Sequence, residues 1–269
     1  MKKFAVIGSP ISHSLSPKIH SLFAEQADIK ISYEAIEITE KNFDSKVKQL
    51  FEDGYSGLNV TLPLKKSAFN YADKKSEEAN LAASVNTLFL KDSVVCGETT
   101  DGLGLLLDLK SKGIELEGSN VLILGAGGSA RSVIPSLLSS NLNSLSVANR
   151  TSEKAAELVN IHKQKNPEIN QIDIDERVHL EMDLVINSTS ASTLGEELSL
   201  PEGIFNSKTI SYDLSYSKDE TPFNMMAKTR GTKEAHDGLG MLVNQAALSF
   251  KIWNKFMPDV GGIELKLRS

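Results

Sequence analysis

The chain has 269 residues, 40% hydrophobic and 24% charged, a globular composition with room for one large domain or two smaller ones. Its net charge of −6 argues against a broad nucleic-acid-binding surface, so positive partners for an anionic ligand must be local. The single cysteine, Cys96, excludes an intrachain disulfide framework or a cysteine-based metal site, and the five histidines lack zinc-binding spacing, so no metal is expected.

Met1-Lys2-Lys3 followed by "FAVIG" is too short an apolar run for an export leader, and Ser9-Pro10 ends it. No stretch approaches the roughly 18 apolar residues of a membrane span. The expected location is cytoplasmic, without membrane contact.

"FAVIG" (4–8) instead reads as a strand. "SPKIHSLFAEQA" (16–27) has helical spacing, with Ser16 as N-cap and Pro17 at the first helical position. "ISYEAIEI" (31–38) is a strand, "NFDSKVKQLFEDG" (42–54) an amphipathic helix ended by Gly54, and "YSGLNVT" (55–61) a third strand. Strands separated by helices imply parallel βαβ units. "SVNTLFL" (84–90) and "SVVCGE" (93–98) read as a hairpin, and "TTDGLGLLLDLKSKG" (99–113) as a connecting helix. A new strand–turn–helix unit begins at "SNVLILGAGGSARSVIPSLLSS" (119–140), followed by strands at 144–150, 183–190 and 209–216 and a last helix at 238–256. The boundary between two α/β domains is placed at residue 113.

In "VLILGAGGSA", Gly125-x-Gly127-x-x-Ala130 lies between an apolar strand and a helix, the context of a Rossmann-type dinucleotide fold. Gly125 suits the tight turn, Gly127 a close pyrophosphate and Ala130 helix–strand packing. NAD-binding folds carry an acidic residue about 20 positions further on. Here stand Asn149, Arg150 and Thr151, with Lys154 one turn later. An arginine suits the additional phosphate of NADP, which is therefore the expected cofactor.

Nicotinamide chemistry at a carbonyl also needs a proton donor. Lys65, past the strand end in "NVTLPLK", is one candidate; taken alone it also fits a solvated lysine. Asp101 in "TTDGLG" fits either a catalytic partner or a helix N-cap. The serines of "GSPISHSLSP" (8–17) fit either a carboxylate site or turn formation, and His13 a surface loop.

Together, "GSPISHSLSP", "NVTLPLK", "SVNT", "TTDGLG", "GAGGSAR", "NRT", "INSTS", "DLSY" and "DGLGMLVNQAA" occur in the order found in bacterial shikimate dehydrogenases, which the chain resembles over almost its full length. The resemblance implies two lobes. A mostly parallel α/β substrate domain would span 1–113, with the segment 238–269 packed back on it. A Rossmann-type NADP-binding domain would span 114–237. It implies that Ser14 and Ser16 hold the substrate carboxylate, and that Thr61, Lys65, Asn86, Asp101 and Gln245 line the ring hydroxyls with Tyr216. Lys65 and Asp101 would be the catalytic pair. Gly125, Ala126, Gly127, Gly128 and Ser129, with Asn149, Arg150, Thr151 and Lys154, would hold NADP. Leu214, Gly238 and Glu77 would lie near the nicotinamide. The implied reaction is reduction of 3-dehydroshikimate to shikimate by a monomer or homodimer. Alternatives are quinate or NAD use, or a non-catalytic NADP-binding regulatory protein. The chain departs from the family pattern at Thr99 (usually asparagine), Ser188 (usually alanine) and Lys218 (commonly proline).

Overall fold

Two separate sets of alternating apolar strands build two sheets. The computed structural model describes residues 1–174, 181–194, 196 and 198–268. They form two compact units, Met1–Leu107 with Leu242–Ser269, and Asp108–Met241. The chain thus leaves the first unit inside the helix expected as the connector, six residues before the anticipated 113, and returns to it at 242 rather than 238.

The first unit runs β1 (Lys2–Gly8), α1 (Ser16–Gln26), β2 (Ile31–Glu37), α2 (Phe43–Glu52), β3 (Tyr55–Val60), α3 (Lys65–Tyr71), β4 (Lys74–Lys75), α4 (Glu77–Ala82), β5 (Thr87–Lys91), β6 (Val94–Glu98) and the start of α5 (Asp101–Ser111). Its sheet order is β2-β1-β3-β5-β6-β4. β2, β1 and β3 are parallel, while β5 runs antiparallel to both β3 and β6, as the predicted hairpin requires. Side chains alternate across a strand. Ala5 and Ile7 therefore join Val47, Leu50, Leu64 and Ala68 in a core on one face of β1. Phe4 points to the other face, stacked on Trp253 with ring centroids 4.7 Å apart.

The second unit contains β7 (Asn120–Leu124), α6 (Gly128–Leu138), β8 (Ser144–Ala148), α7 (Ser152–Lys163), β9 (Ile169–Gln171), β10 (Leu184–Asn187), α8 (Ala191–Leu194), β11 (Ile210–Asp213), α9 (Pro222–Thr229) and β12 (Glu234–Asp237). All strand pairs are parallel, in the order β12-β11-β10-β7-β8-β9. This is the doubly wound order of a dinucleotide-binding fold, whose direction reverses between β7 and β10. Leu122, Val185, Ile204, Phe205 and Phe223 belong to its own core.

Helix α10 (Leu239–Asn254) begins in the second unit and ends in the first, followed by α11 (Ile263–Arg268). Val243, Ala246, Ala247 and Phe250 of α10 pack with Ile19 and Phe23 of α1 and Ile263 of α11. A side chain at Gly57 would drive its Cβ to 2.5 Å from Trp253 Cε2, so glycine there is what lets the end of α10 seat against β3.

Candidate active site

In the first unit, strand ends and helix starts present polar side chains to one another. Lys65 is the first residue of α3; the sequence pattern marked the strand and Pro63 but not this helix. Asp101 is the first residue of α5, so its carboxylate is not an N-cap. Lys65 Nζ donates to Asp101 Oδ2 at 2.7 Å, with both side chains largely out of water, 13% and 6% exposed. The adjacent Lys66 is exposed. Losing either partner of such a pair strands a buried charge.

Asn86, just before β5, holds the other carboxylate oxygen. Its Nδ2, with two protons to give, lies within donating distance of Asp101 Oδ1 at 3.0 Å, Thr100 Oγ1 at 2.8 Å and Gln245 Oε1 at 3.1 Å. Its Oδ1 accepts from the Thr100 backbone N–H at 3.0 Å. Gln245 reaches this cluster from α10, 159 positions further along the chain. Thr61 lies at the end of β3, its backbone N–H bonded to Ile7 at 2.9 Å and its carbonyl to Leu64 at 2.9 Å in the turn leading to Lys65.

Ser16 departs from its expected N-cap role. Leu15 is the N-cap, and Ser16 opens α1 with its backbone N–H bonded to Ser14 Oγ at 3.3 Å. Ser16 is buried and acts on Tyr33, whose hydroxyl burial pushes well above the ordinary tyrosine range while Ser16 opposes the shift. Beneath the cluster lie Asn59, Thr87, Thr100 and Ser249, all buried. Asn59, Thr87 and Thr100 fall inside recognisable motifs, whereas nothing around Ser249 marked it. The hydroxyl of Thr99, one of the departures from the family pattern, is buried with no hydrogen-bond partner among the described residues. Glu77 also belongs to this unit, exposed at the start of α4 where Ser76 caps the helix.

The second unit carries the Gly-rich turn at the carboxyl end of β7, beside the reversal point where ligands of such sheets collect. Gly125 has φ +107°, and a Cβ there would meet Ser188 Oγ at 2.6 Å in the turn after β10. Ser188 uses its hydroxyl, which the family's alanine lacks, to donate to the Leu124 carbonyl at 2.7 Å. The Ala126 N–H donates to Asn149 Oδ1 at 3.2 Å, tying the turn to the end of β8. Gly127 is the N-cap of α6 with no side-chain cap, followed by Gly128 and Ser129, and the space a Cβ would enter at Gly127 is open. An uncapped helix start behind an open glycine fits a phosphate group. Arg150, Thr151 and Lys154 are exposed at and after the end of β8, with Glu153 in the same turn and Asp173 accepting from Ser152 Oγ at 2.6 Å.

Leu214 and Gly238 are brought close: the Leu214 N–H donates to Asn187 O at 2.8 Å, and a side chain at Gly238 would collide with the Leu214 carbonyl. Tyr216, two residues after Leu214, also belongs to this unit. Burial raises the pKa of Asp213, opposed by hydrogen bonds from Ser192, Thr221, the Ser215 N–H and Asn187; these fix the turn that carries Leu214. Among the described residues, no group of histidine, cysteine or carboxylate side chains could hold a metal, and no helix is long and apolar enough to cross a membrane.

The site chemistry and the second sheet therefore define an α/β dinucleotide-dependent enzyme class, with a paired lysine and aspartate in the other unit. Residues 6–88 match the shikimate dehydrogenase substrate binding domain, 108–211 the shikimate / quinate 5-dehydrogenase model and 238–264 the shikimate 5'-dehydrogenase C-terminal domain. The chain is 45% identical over 269 residues to the shikimate dehydrogenase (NADP(+)) of Psychromonas ingrahamii, covering 100% of this chain and 98% of that one. Among solved structures, shikimate 5-dehydrogenase from Thermus thermophilus in complex with NADP(H) and shikimate matches with TM-score 0.88 and 33% identity, covering 100% and 99% of the two chains. Shikimate 5-dehydrogenase from Listeria monocytogenes in complex with shikimate and NAD matches with TM-score 0.88 and 27% identity, covering 99% and 96%. The chain belongs to the shikimate dehydrogenase family.

Proposed function

We propose that this chain is an NADP-dependent shikimate dehydrogenase that reversibly reduces 3-dehydroshikimate to shikimate. The observation that carries the reading is the buried Lys65–Asp101 pair at 2.7 Å, braced by Asn86, in a chain 45% identical to a shikimate dehydrogenase (NADP(+)). Bound NADPH supplies the hydride. Lys65 hydrogen-bonds the reacting ring oxygen, gives a proton to it during reduction and takes one back during oxidation. Asp101 accepts from Lys65 and holds its ammonium in position. Ser14 and Ser16 grip the carboxylate, while Thr61, Asn86, Gln245 and Tyr216 address the ring hydroxyls.

Gly125, Ala126, Gly127, Gly128, Ser129 and Asn149 receive the pyrophosphate and neighbouring groups. Arg150, Thr151 and Lys154 select the 2′-phosphate. Leu214, Gly238 and Glu77 border the nicotinamide. On this reading the unit of Met1–Leu107 and Leu242–Ser269 is the substrate domain, and Asp108–Met241 is the NADP domain. The enzyme works in the cytoplasm as a monomer or homodimer.

The test is NADPH oxidation with 3-dehydroshikimate, with NADP⁺ and NAD⁺ reduction by shikimate and by quinate in reverse. Lys65→Ala should lower kcat by roughly 10²–10⁴-fold while NADP affinity stays near wild type. Near-normal turnover in that variant would remove Lys65 from the mechanism. Turnover with quinate alone would favour the quinate reading, and NADP binding without turnover the regulatory one.

A further inference from the structure

Beneath the paired lysine and aspartate, hydroxyls and amides are linked in one continuous buried hydrogen-bond network. Tyr33 Oη donates to Asn59 Oδ1 at 2.8 Å. Asn59 Nδ2 donates to Ser249 Oγ at 2.9 Å. Thr87 Oγ1 donates to Asn86 Oδ1 at 2.9 Å and shares a 2.8 Å hydrogen bond with Ser249 Oγ, whose own hydroxyl also faces the Gln245 carbonyl at 3.1 Å. Asn86 Nδ2 passes the sequence on to Asp101 Oδ1 at 3.0 Å. Each bond polarises the next, and the series ends on the carboxylate that holds Lys65. An asparagine amide has no intrinsic preference between its two flipped orientations. The hydroxyl of Thr87 and the N–H of Thr100, both delivered to Asn86 Oδ1, select the one that turns Nδ2 toward Asp101 and Gln245.

We propose that Asn59, Ser249 and Thr87 are positioning residues for the reaction. They fix the orientation of the Asn86 amide and, through it, the Asp101 carboxylate. At its far end the same network reaches the buried hydroxyl of Tyr33. This inference rests on the shikimate dehydrogenase reading above.

Thr87 offers the cleanest test because valine preserves its branched shape in the strand and deletes only the hydroxyl. In the full-length protein, Thr87→Val should lower kcat/KM for shikimate about tenfold, the scale of one lost hydrogen bond to a buried polar group. Its KM for NADP⁺ should stay unchanged, and its melting temperature should show it folded. Thr87→Ser, which restores the hydroxyl, should recover most of the loss. A second cut, Ser249→Ala, should reproduce the split between the two substrates. A folded Thr87→Val with wild-type kcat/KM, or a Thr87→Ser as impaired as Thr87→Val, would overturn the positioning role while leaving the shikimate reading intact. A wild-type enzyme inactive with shikimate would overturn that reading and this role with it.

Discussion

At the scale of single residues, two neighbouring lysines with the same chemistry have opposite surroundings. Lys66 faces water, whereas the Lys65 side chain is 13% exposed and bonded to Asp101. Local pattern could not separate them, because their difference arises from the first turn of α3 and from a partner 36 positions away. Arg150 is the opposite case: its proposed role comes from its place in the sequence, at the end of the strand after the Gly-rich unit, where a ribose phosphate would lie. Its exposed guanidinium makes a direct prediction. Arg150→Ala should raise the KM for NADPH by roughly 10-fold or more, the value of a charge-assisted bidentate contact, and leave the KM for NADH nearly unchanged. Steady-state kinetics with both cofactors reads the difference, and equal losses would sink the 2′-phosphate role.

At the scale of elements, α10 carries two functions at once. One turn brings Gln245 and Ser249 to the polar cluster, and its end sets Trp253 on Phe4 and over Gly57. Gly57→Ala should therefore displace the helix, costing about 1–3 kcal/mol of stability as overpacking does. It should also raise the KM for shikimate, because Gln245 moves with the helix. Trp253→Phe in the same chain should recover part of both losses, since the smaller ring vacates the space and Trp253 Nε1 has no hydrogen-bond partner among the described residues. Additive effects in the double variant, measured by thermal melts, would refute the contact. The helix itself was legible from its apolar periodicity between 238 and 256. Its partners were not, because the bond from Asn59 to Ser249 spans 190 positions. The short helices α3 and α4 and the two-residue β4 also escaped local reading. Elements of 7, 6 and 2 residues are too short for a hydrophobic period to register.

At the scale of the whole molecule, alternating strands and helices implied two parallel-rich sheets, and that architecture is observed. The antiparallel pairing of β3 with β5 and the placement of β4 beyond β6 depend on tertiary packing and left no mark in the pattern. Two separate cores also imply that a local perturbation should weaken one unit more than the other. His20 supplies such a perturbation. It is fully buried in the first unit, stacked on Tyr33 at 4.2 Å, and burial, opposed by Asn59, lowers its pKa to about 3. Below the ordinary histidine pKa near 6.5, the unfolded chain takes up a proton that the folded chain refuses. Folding stability tied to His20 is therefore complete above about pH 6.5 and declines toward pH 3, by at most ~1.4 kcal/mol per pH unit. His20→Phe keeps an aromatic ring in the stack and removes the titration. Between pH 7 and 5, the unfolding free energy of the wild type should fall more steeply than that of His20→Phe. Hydrogen exchange should locate the excess wild-type loss in 1–107 and 242–269, leaving 108–241 alike in the two proteins. Parallel pH dependences, or an excess spread evenly over both units, would show that His20 does not govern the acid response.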